Sequence, residues 1–321
     1  MKTAMRAIAV KGTALELVEL PDPELREGDL LVRVRAAGLN RADLLQRLGK
    51  YPPPPGEPET MGLEVAGEVE KATGPYKVGD RVMALLAGGG YAEKARVPAA
   101  QAMPIPKGLS FEQAAAIPEA FLTAWLNLMM IAQLKKDEAV IIHAGGSGVG
   151  TAAIQLCHGI AKVILATASP GKHEICKSLG ATHVLAREKV PTELPEAIKA
   201  AAGRGADVIL DLIGGSYLEA NLKSLGLHGR MCCLSTMGGL TGTLDFGTLL
   251  GKRLSILGST VRNRSKEQKA RLVRDFTERA LHRFEKDLKP VLALTFPLSQ
   301  AEEAHAALKE GKSAGKIVLV P

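Results

Sequence analysis

The stretch Ala139-Val-Ile-Ile-His-Ala-Gly-Gly-Ser-Gly-Val-Gly-Thr-Ala-Ala-Ile-Gln-Leu156 constrains the fold more than any other part of the chain. An apolar run of strand length passes into a glycine-rich turn and directly into a helix start. Gly145, Gly148 and Gly150 let the backbone turn tightly and bring N–H groups toward a pyrophosphate, whose charge is favoured at a helix N-terminus. Ser147 stands where the usual fingerprint has a second glycine. Its hydroxyl either adds a hydrogen bond to phosphate or caps the helix starting near Gly148. The candidate cradle is therefore Gly145, Gly146, Ser147, Gly148, Val149 and Gly150.

Around this unit the apolar runs Ala139–His143, Val163–Thr167, His183–Leu185, Val208–Leu210, Arg230–Leu234 and Ser255–Leu257 are separated by helix-length segments. Such alternation predicts an α/β fold with a doubly wound parallel sheet. The preceding hundred residues instead read as short strands punctuated by Gly and Pro, at Ala4–Val10, Leu15–Glu19, Asp29–Ala36, Glu64–Glu70, Arg81–Ala84 and Tyr91–Pro98. They predict an all-β unit. After the parallel sheet come an amphipathic segment, Lys266–Glu285, a strand near Pro290–Phe296, a helix over Leu298–Glu310 and a last strand, Lys316–Val320, expected to return to the first domain. The 321 residues thus divide into a substrate domain, 1–120 completed by 261–321, and a dinucleotide domain, 121–260. Pro52–Pro55 is a stiff, extended loop.

The choice of dinucleotide falls at the end of the second parallel strand, where an acid would hydrogen-bond the ribose 2′-hydroxyl of NAD. No Asp or Glu occurs between Gly150 and His173. The strand runs instead into Ser169, Pro170, Gly171 and Lys172, and a hydroxyl with an ammonium suits a 2′-phosphate. Arg187, past the third strand, either adds a second cation or stacks on adenine. These residues point to NADP(H), unless Lys172 and Arg187 are merely solvated.

Composition narrows the classes of function. No apolar run approaches the roughly 20 residues of a bilayer span, and the first strand begins too early to leave room for a removed signal, so a cytoplasmic protein without a membrane partner is expected. Cys157, Cys176, Cys232 and Cys233 lack the paired spacing of disulfides or a zinc lobe. The formal charge of +7 concentrates between Lys252 and Lys289, including Arg262, Arg264, Lys266, Lys269, Arg271, Arg274 and Arg279. A solvated helix face is the expected reading. A nucleic-acid partner is possible but not favoured, because few aromatic platforms accompany the charge.

Seven segments in order, Ala37-Gly-Leu-Asn-Arg-Ala-Asp43, Gly49-Lys-Tyr-Pro-Pro-Pro-Pro55, Gly62-Leu-Glu-Val-Ala-Gly67, Ala114-Ala-Ala-Ile-Pro-Glu-Ala-Phe-Leu-Thr-Ala124, His143–Gln155, Asp211-Leu-Ile-Gly-Gly-Ser216 and Gly315-Lys-Ile-Val-Leu319, carry a resemblance over essentially the whole chain. The chain resembles the zinc-free quinone oxidoreductase (zeta-crystallin-like) branch of the medium-chain dehydrogenase/reductase superfamily, and within it the tumour-suppressor-inducible quinone oxidoreductases. That resemblance implies a Rossmann-type domain beside a mainly β GroES-like substrate domain. Where the zinc alcohol dehydrogenases carry a ligand Cys and His, this chain has Leu39–Asn40 and Leu63, so no metal site is expected.

The resemblance further implies that Asn40, Tyr51 and Thr123 surround nicotinamide and substrate, and that Met237, Ser259 and Val261 approach the nicotinamide half. Tyr51 either hydrogen-bonds a quinone or enone oxygen or fills a loop, and Asn40 and Thr123 are equally at home as caps and turn formers. His143 reads as a packed histidine, and Asp211 as either a ligand group or a cap. The expected activity is NADPH-dependent hydride transfer to quinones or activated carbonyls. The alternatives are an enoyl-thioester reductase, or an RNA-binding or structural NADPH-binding protein with little turnover. Edge pairing through Leu254–Gly258 is expected to give a homodimer.

Overall fold

The computed structural model describes residues 4–321. They form two compact units, one running to Leu122 and resuming with Val261–Pro321, the other Thr123–Thr260.

The first unit opens with an antiparallel hairpin of β1 (Ala4–Lys11) and β2 (Ala14–Pro21). There follow β3 (Asp29–Gly38), α1 (Arg41–Arg47), β4 (Glu64–Lys71), β5 (Arg81–Leu85), β6 (Lys94–Pro98) and β7 (Ala102–Pro104). In β3 the buried Val32 and Val34 alternate with the exposed Arg33 and Arg35, the period of a strand with one wet face. An all-β reading of this region needs correcting at α1. Seven residues are too few for helical periodicity to show, and the start is fixed locally: the Asp43 carboxylate accepts the Asn40 N–H at 2.7 Å.

Next come α2 (Phe111–Ala115) and α3 (Pro118–Trp125), which a π-helical turn, Leu126–Ile131, extends. The helical stretch Phe111–Ile131 is long and apolar enough by composition to cross a bilayer, which corrects the expectation that no run approaches that length. Its most apolar window is 72% buried, as in a core helix.

The second unit continues through β8 (Ala139–Ile142), α4 (Gly148–Cys157), β9 (Val163–Ala168), α5 (His173–Ser178), β10 (His183–Ala186), α6 (Val190–Ala202), β11 (Ala206–Asp211), α7 (Leu218–Ser224), β12 (Leu225–Cys233), α8 (Phe246–Lys252) and β13 (Ser255–Gly258). The six strands pair in the order β10-β9-β8-β11-β12-β13, all parallel. Order reverses between β8 and β11, and in a doubly wound sheet the ligand crevice opens at the carboxyl ends of the strands at that reversal. The central strands β8 and β9 are wholly buried, which is why they read as unbroken apolar runs.

The tail adds α9 (Lys266–Arg279), β14 (Leu292–Pro297), α10 (Ala301–Glu310) and β15 (Lys316–Val320) to the first unit. The amphipathic segment 266–285 is not one helix: it breaks at Ala280 and continues as a 3₁₀ turn, Leu281–Glu285. The first unit's main sheet reads β14-β15-β3-β4-β5-β7, with β6 also on β3. Its core gathers Leu30, Val32, Val34, Met61, Val65, Ile317 and Leu319. The solvated-face reading of the basic stretch also needs correcting, because Arg262 is only 3% and Lys269 only 5% exposed.

Candidate active site

In the second unit the glycine turn joins β8 to α4. Ser147 caps the helix, its hydroxyl accepting the Gly150 N–H at 3.0 Å. A Cβ at Gly150 would lie 2.2 Å from the Ala144 carbonyl oxygen, and one at Gly145 would lie 2.9 Å from the Ala166 Cβ. Both glycines are thus required for helix and strand to approach. Ala144, with φ +51°, occupies the left-handed region without being glycine, a local strain of the kind found at binding turns.

Lys172, on the short 3₁₀ turn that follows Ser169 at the end of β9, brings its aliphatic stem against the turn: a Cβ at Gly146 would lie 2.4 Å from the Lys172 Cδ. That stem thus lies against the turn leading into a ten-residue helix, whose N-terminus favours an anion. Arg187 is exposed, and its carbonyl accepts the Tyr217 hydroxyl at 2.9 Å.

Elsewhere in this unit, Met237 is exposed and Thr123 lends its carbonyl to Asn127 Nδ2 at 2.8 Å. The Ser259 N–H donates to the Cys233 carbonyl at 3.0 Å, while its hydroxyl oxygen is buried without a partner. A buried orphan hydroxyl at the carboxyl end of β13 is a vacancy in the hydrogen-bonding pattern that a polar ligand would fill. His143 is fully buried between Thr167 Oγ1 at 2.9 Å and Asn221 Oδ1 at 2.7 Å, and burial lowers its pKa. It is a packed histidine. Asp211 shapes the turn after β11, accepting the N–H groups of Ile213 at 2.7 Å and Gly214 at 3.1 Å.

In the first unit the structure gathers charge that sequence reasoning missed. Lys316 at the start of β15 reaches Glu64 at the start of β4 at 2.5 Å, and both are buried. Asn40 is locked between them, Nδ2 donating to Glu64 Oε1 at 2.9 Å and Oδ1 accepting from Lys316 Nζ at 2.6 Å. The other Glu64 oxygen accepts the Glu119 N–H at 2.8 Å. The signal for this pair lay in two charged residues opening short apolar runs, Glu-Val-Ala-Gly and Lys-Ile-Val-Leu-Val, since a charge in such a place is kept only when paired.

Tyr51 is half-buried. Arg262 donates to its carbonyl at 2.9 Å and lies over its ring at 5.1 Å, while also binding the Ala87 carbonyl and Gln46 Oε1 at 2.8 Å each. Burial raises the Tyr51 pKa, with the Glu119 charge adding to the rise and Arg262 opposing it. Burial raises Glu119 to about 8, with Glu64 also pushing it up. Asp43, wholly buried and accepting the Tyr91 hydroxyl at 2.8 Å, rises to about 6 for the same first reason. Val261 is buried in this unit. Of the residues expected around nicotinamide and substrate, Asn40 and Tyr51 therefore belong to the first unit and Thr123 to the second.

Comparison with known proteins agrees with this architecture. Residues 26–107 match the alcohol dehydrogenase GroES-like domain and residues 148–278 match the zinc-binding dehydrogenase family. The human synaptic vesicle membrane protein VAT-1 homolog is 32% identical over 313 residues, covering 92% of this chain and 79% of that one. The chain belongs to the medium-chain dehydrogenase/reductase superfamily. Within that family, the quinone oxidoreductase from Thermus thermophilus, solved with a complex with NADPH, superposes at a TM-score of 0.84 and 35% identity over 99% of this chain and 100% of its own. A 323-residue match at 35% identity covers 96% of this chain and 14% of the phenolphthiocerol synthesis polyketide synthase type I of Mycobacterium bovis. The donor set does not fit a catalytic zinc. Leu39 and Leu63 are buried in the core, and among the described residues no group of three His, Cys, Asp or Glu is arranged to hold a metal.

Proposed function

We propose that the protein is an NADPH-dependent, zinc-independent reductase that transfers hydride to quinones or to the conjugated double bond of α,β-unsaturated carbonyls in the cytoplasm. The observation that carries this reading is Lys172 laid across Gly146 at the mouth of the glycine turn, with no acid at the end of β9. Backbone N–H groups at the start of α4 would take the pyrophosphate, and Ser169, Lys172 and Arg187 the 2′-phosphate. The fit rests on glycines whose Cβ atoms would fill the cradle and on the orphan hydroxyl of Ser259. Met237 would border the nicotinamide.

The bound nicotinamide supplies the hydride. The protein's own residues orient the acceptor and stabilise the charge that develops on its oxygen. Tyr51, stiffened by Arg262, donates a hydrogen bond to that oxygen, and Asn40 borders it. Asn40 acts through its place between Glu64 and Lys316, since its amide is already engaged by both.

The test is a fluorescence titration with NADPH and NADH on the wild type, Lys172→Ala and Arg187→Ala, followed by NADPH oxidation across quinones and enones. Tighter NADPH binding that Lys172→Ala abolishes, with turnover on either acceptor class, supports the reading. Equal affinity for both nucleotides overturns the NADPH assignment, and an inert enzyme overturns the reductase assignment. A second reading, reduction of enoyl thioesters, is favoured by the match to a polyketide synthase segment, and enoyl-thioester acceptors in the same panel decide it. We also propose a homodimer paired through β13, the terminal strand of its sheet, where Ile256 is exposed, as are Phe246 and Leu250 on the preceding α8. A monomeric mass by light scattering refutes it.

A further inference from the structure

In the second unit the carboxyl ends of four neighbouring strands, β10, β9, β8 and β11, are tied together through the buried imidazole of His143, which directly follows β8. Its Nδ1 lies 2.9 Å from the hydroxyl of Thr167, the penultimate residue of β9, and its Nε2 2.7 Å from Asn221 Oδ1. Asn221 Nδ2 in turn donates at 3.3 Å to Asp211, the last residue of β11. A carboxylate only accepts, so the amide must turn its Nδ2 to Asp211 and its Oδ1 to His143. Nε2 therefore carries the ring proton. Burial favours the neutral ring, which leaves Nδ1 as the acceptor of the Thr167 O–H. The Tyr217 ring packs edge-on against the same imidazole, with centroids 4.9 Å apart, and its hydroxyl donates at 2.9 Å to the carbonyl of Arg187, the residue after β10.

Both arms of this network lead to the cations that the proposed function gives to the 2′-phosphate. Thr167 is held from two sides, its hydroxyl on His143 and its carbonyl accepting the Gly145 N–H at 2.8 Å. Two residues on, the Ser169 carbonyl accepts the Lys172 N–H at 2.9 Å, so Thr167 fixes the point from which the turn carrying Lys172 departs. Tyr217 likewise fixes the backbone of Arg187, whose side chain is exposed. We propose that His143 is the positioning residue of the 2′-phosphate site, setting nucleotide preference through Thr167 toward Lys172 and through Tyr217 toward Arg187. This inference rests on the NADPH reading above. A cation on a long flexible side chain grips a phosphate well only where its backbone is placed beforehand, because ordering it on binding costs affinity. NADH has no 2′-phosphate, so its binding draws on neither arm.

The experiment is a fluorescence titration with NADPH and with NADH on variants that each remove one link. Tyr217→Phe keeps the ring against His143 and loses only the hydroxyl; Thr167→Val keeps its shape and its carbonyl bond to Gly145. Each is expected to weaken NADPH about fivefold and leave NADH affinity where it was. Tyr217→Phe added to Arg187→Ala should cost nothing further, and neither should Thr167→Val added to Lys172→Ala, since each hydroxyl acts only through its cation. His143→Gln should lose both arms and weaken NADPH about 25-fold; if that variant does not fold, the two single-hydroxyl variants decide. Losses that add in full in the double variants, or an equal weakening of both nucleotides, would make the network mere packing and overturn the positioning role. Full NADPH preference in both Tyr217→Phe and Thr167→Val also overturns it, while the NADPH reading stands. A wild type that binds the two nucleotides equally overturns both.

Discussion

The guanidinium of Arg262 lies over the ring of Tyr51 and donates to the Tyr51 carbonyl at 2.9 Å, so one buried cation fixes both faces of the loop that follows α1. Its Nε and second amino nitrogen bind the Ala87 carbonyl and Gln46, which ties three separate chain segments to one planar group. Arg262→Ala leaves those acceptors buried and unpaired. We expect a loss of about 3 kcal/mol in chemical denaturation and a weakened acceptor KM, with NADPH affinity unchanged. Arg262→Lys should recover little, because an ammonium cannot reproduce the planar fork or the ring contact. Stability within about 0.5 kcal/mol of wild type in either variant would show that the loop is held by other means.

The Lys316–Glu64 pair calls for a double-mutant cycle. Lys316→Met alone strands a wholly buried carboxylate and should cost about 3–5 kcal/mol. Adding Glu64→Gln should return part of that loss, since the neutral amide no longer needs a counter-charge and its one oxygen still accepts from either Asn40 or the Glu119 N–H. Strictly additive single effects would mean that the two residues act independently.

What could be read from the sequence differs between the glycine turn and the charged corner. The strand, glycine turn and helix at 139–156 were legible because they follow one another in the chain and each glycine answers a local steric demand, as the Gly150 contact with Ala144 shows. The charged corner was not, because Glu64 and Lys316 are separated by most of the chain and meet only through β-sheet pairing. Arg262 misled for a related reason. It falls in a run of basic residues of which several, such as Arg271 and Arg274, do face solvent, and nothing in composition separates them from Arg262, buried against Tyr51. Helix α1 escaped notice through its brevity, and with it went Asp43, the carboxylate that closes its first turn.

Asp43 and His305 both contact the Tyr91 hydroxyl, at 2.8 and 3.3 Å, and they respond to acid in opposite senses. Burial raises Asp43 from 3.8 to about 6, so its contribution to stability is fully present below 3.8 and is lost as pH rises through 6. Burial lowers His305 from 6.5 to about 4, so its contribution is present above 6.5 and is lost as pH falls through 4. Each amounts to about 3 kcal/mol at roughly 1.4 kcal/mol per pH unit, and between about pH 4 and 6 they largely cancel. Urea midpoints measured against pH should therefore fall more steeply with acid in Asp43→Asn than in the wild type, and less steeply in His305→Gln. Parallel curves for all three proteins would discount the opposition.

The glycine turn separates two effects that a single substitution elsewhere would confuse. At Gly150 an added methyl meets the Ala144 carbonyl oxygen at 2.2 Å and the Gly145 backbone behind it, neither of which can swing aside, so Gly150→Ala should cost about 3 kcal/mol and abolish binding of either nucleotide. At Gly146 the methyl meets the Lys172 stem instead, at 2.4 Å from Cδ and 2.9 Å from Cβ, so the 3₁₀ turn that carries Lys172 must shift as well, at a smaller cost in stability, and the ammonium is displaced. Gly146→Ala should then weaken NADPH about tenfold, roughly 1.4 kcal/mol, and leave NADH affinity where it was. Lys172→Ala should match it, and the double variant should be no worse than either, because both remove the same contact. Equal weakening of the two nucleotides in Gly146→Ala would place the defect in the pyrophosphate cradle and remove Lys172 from the 2′-phosphate.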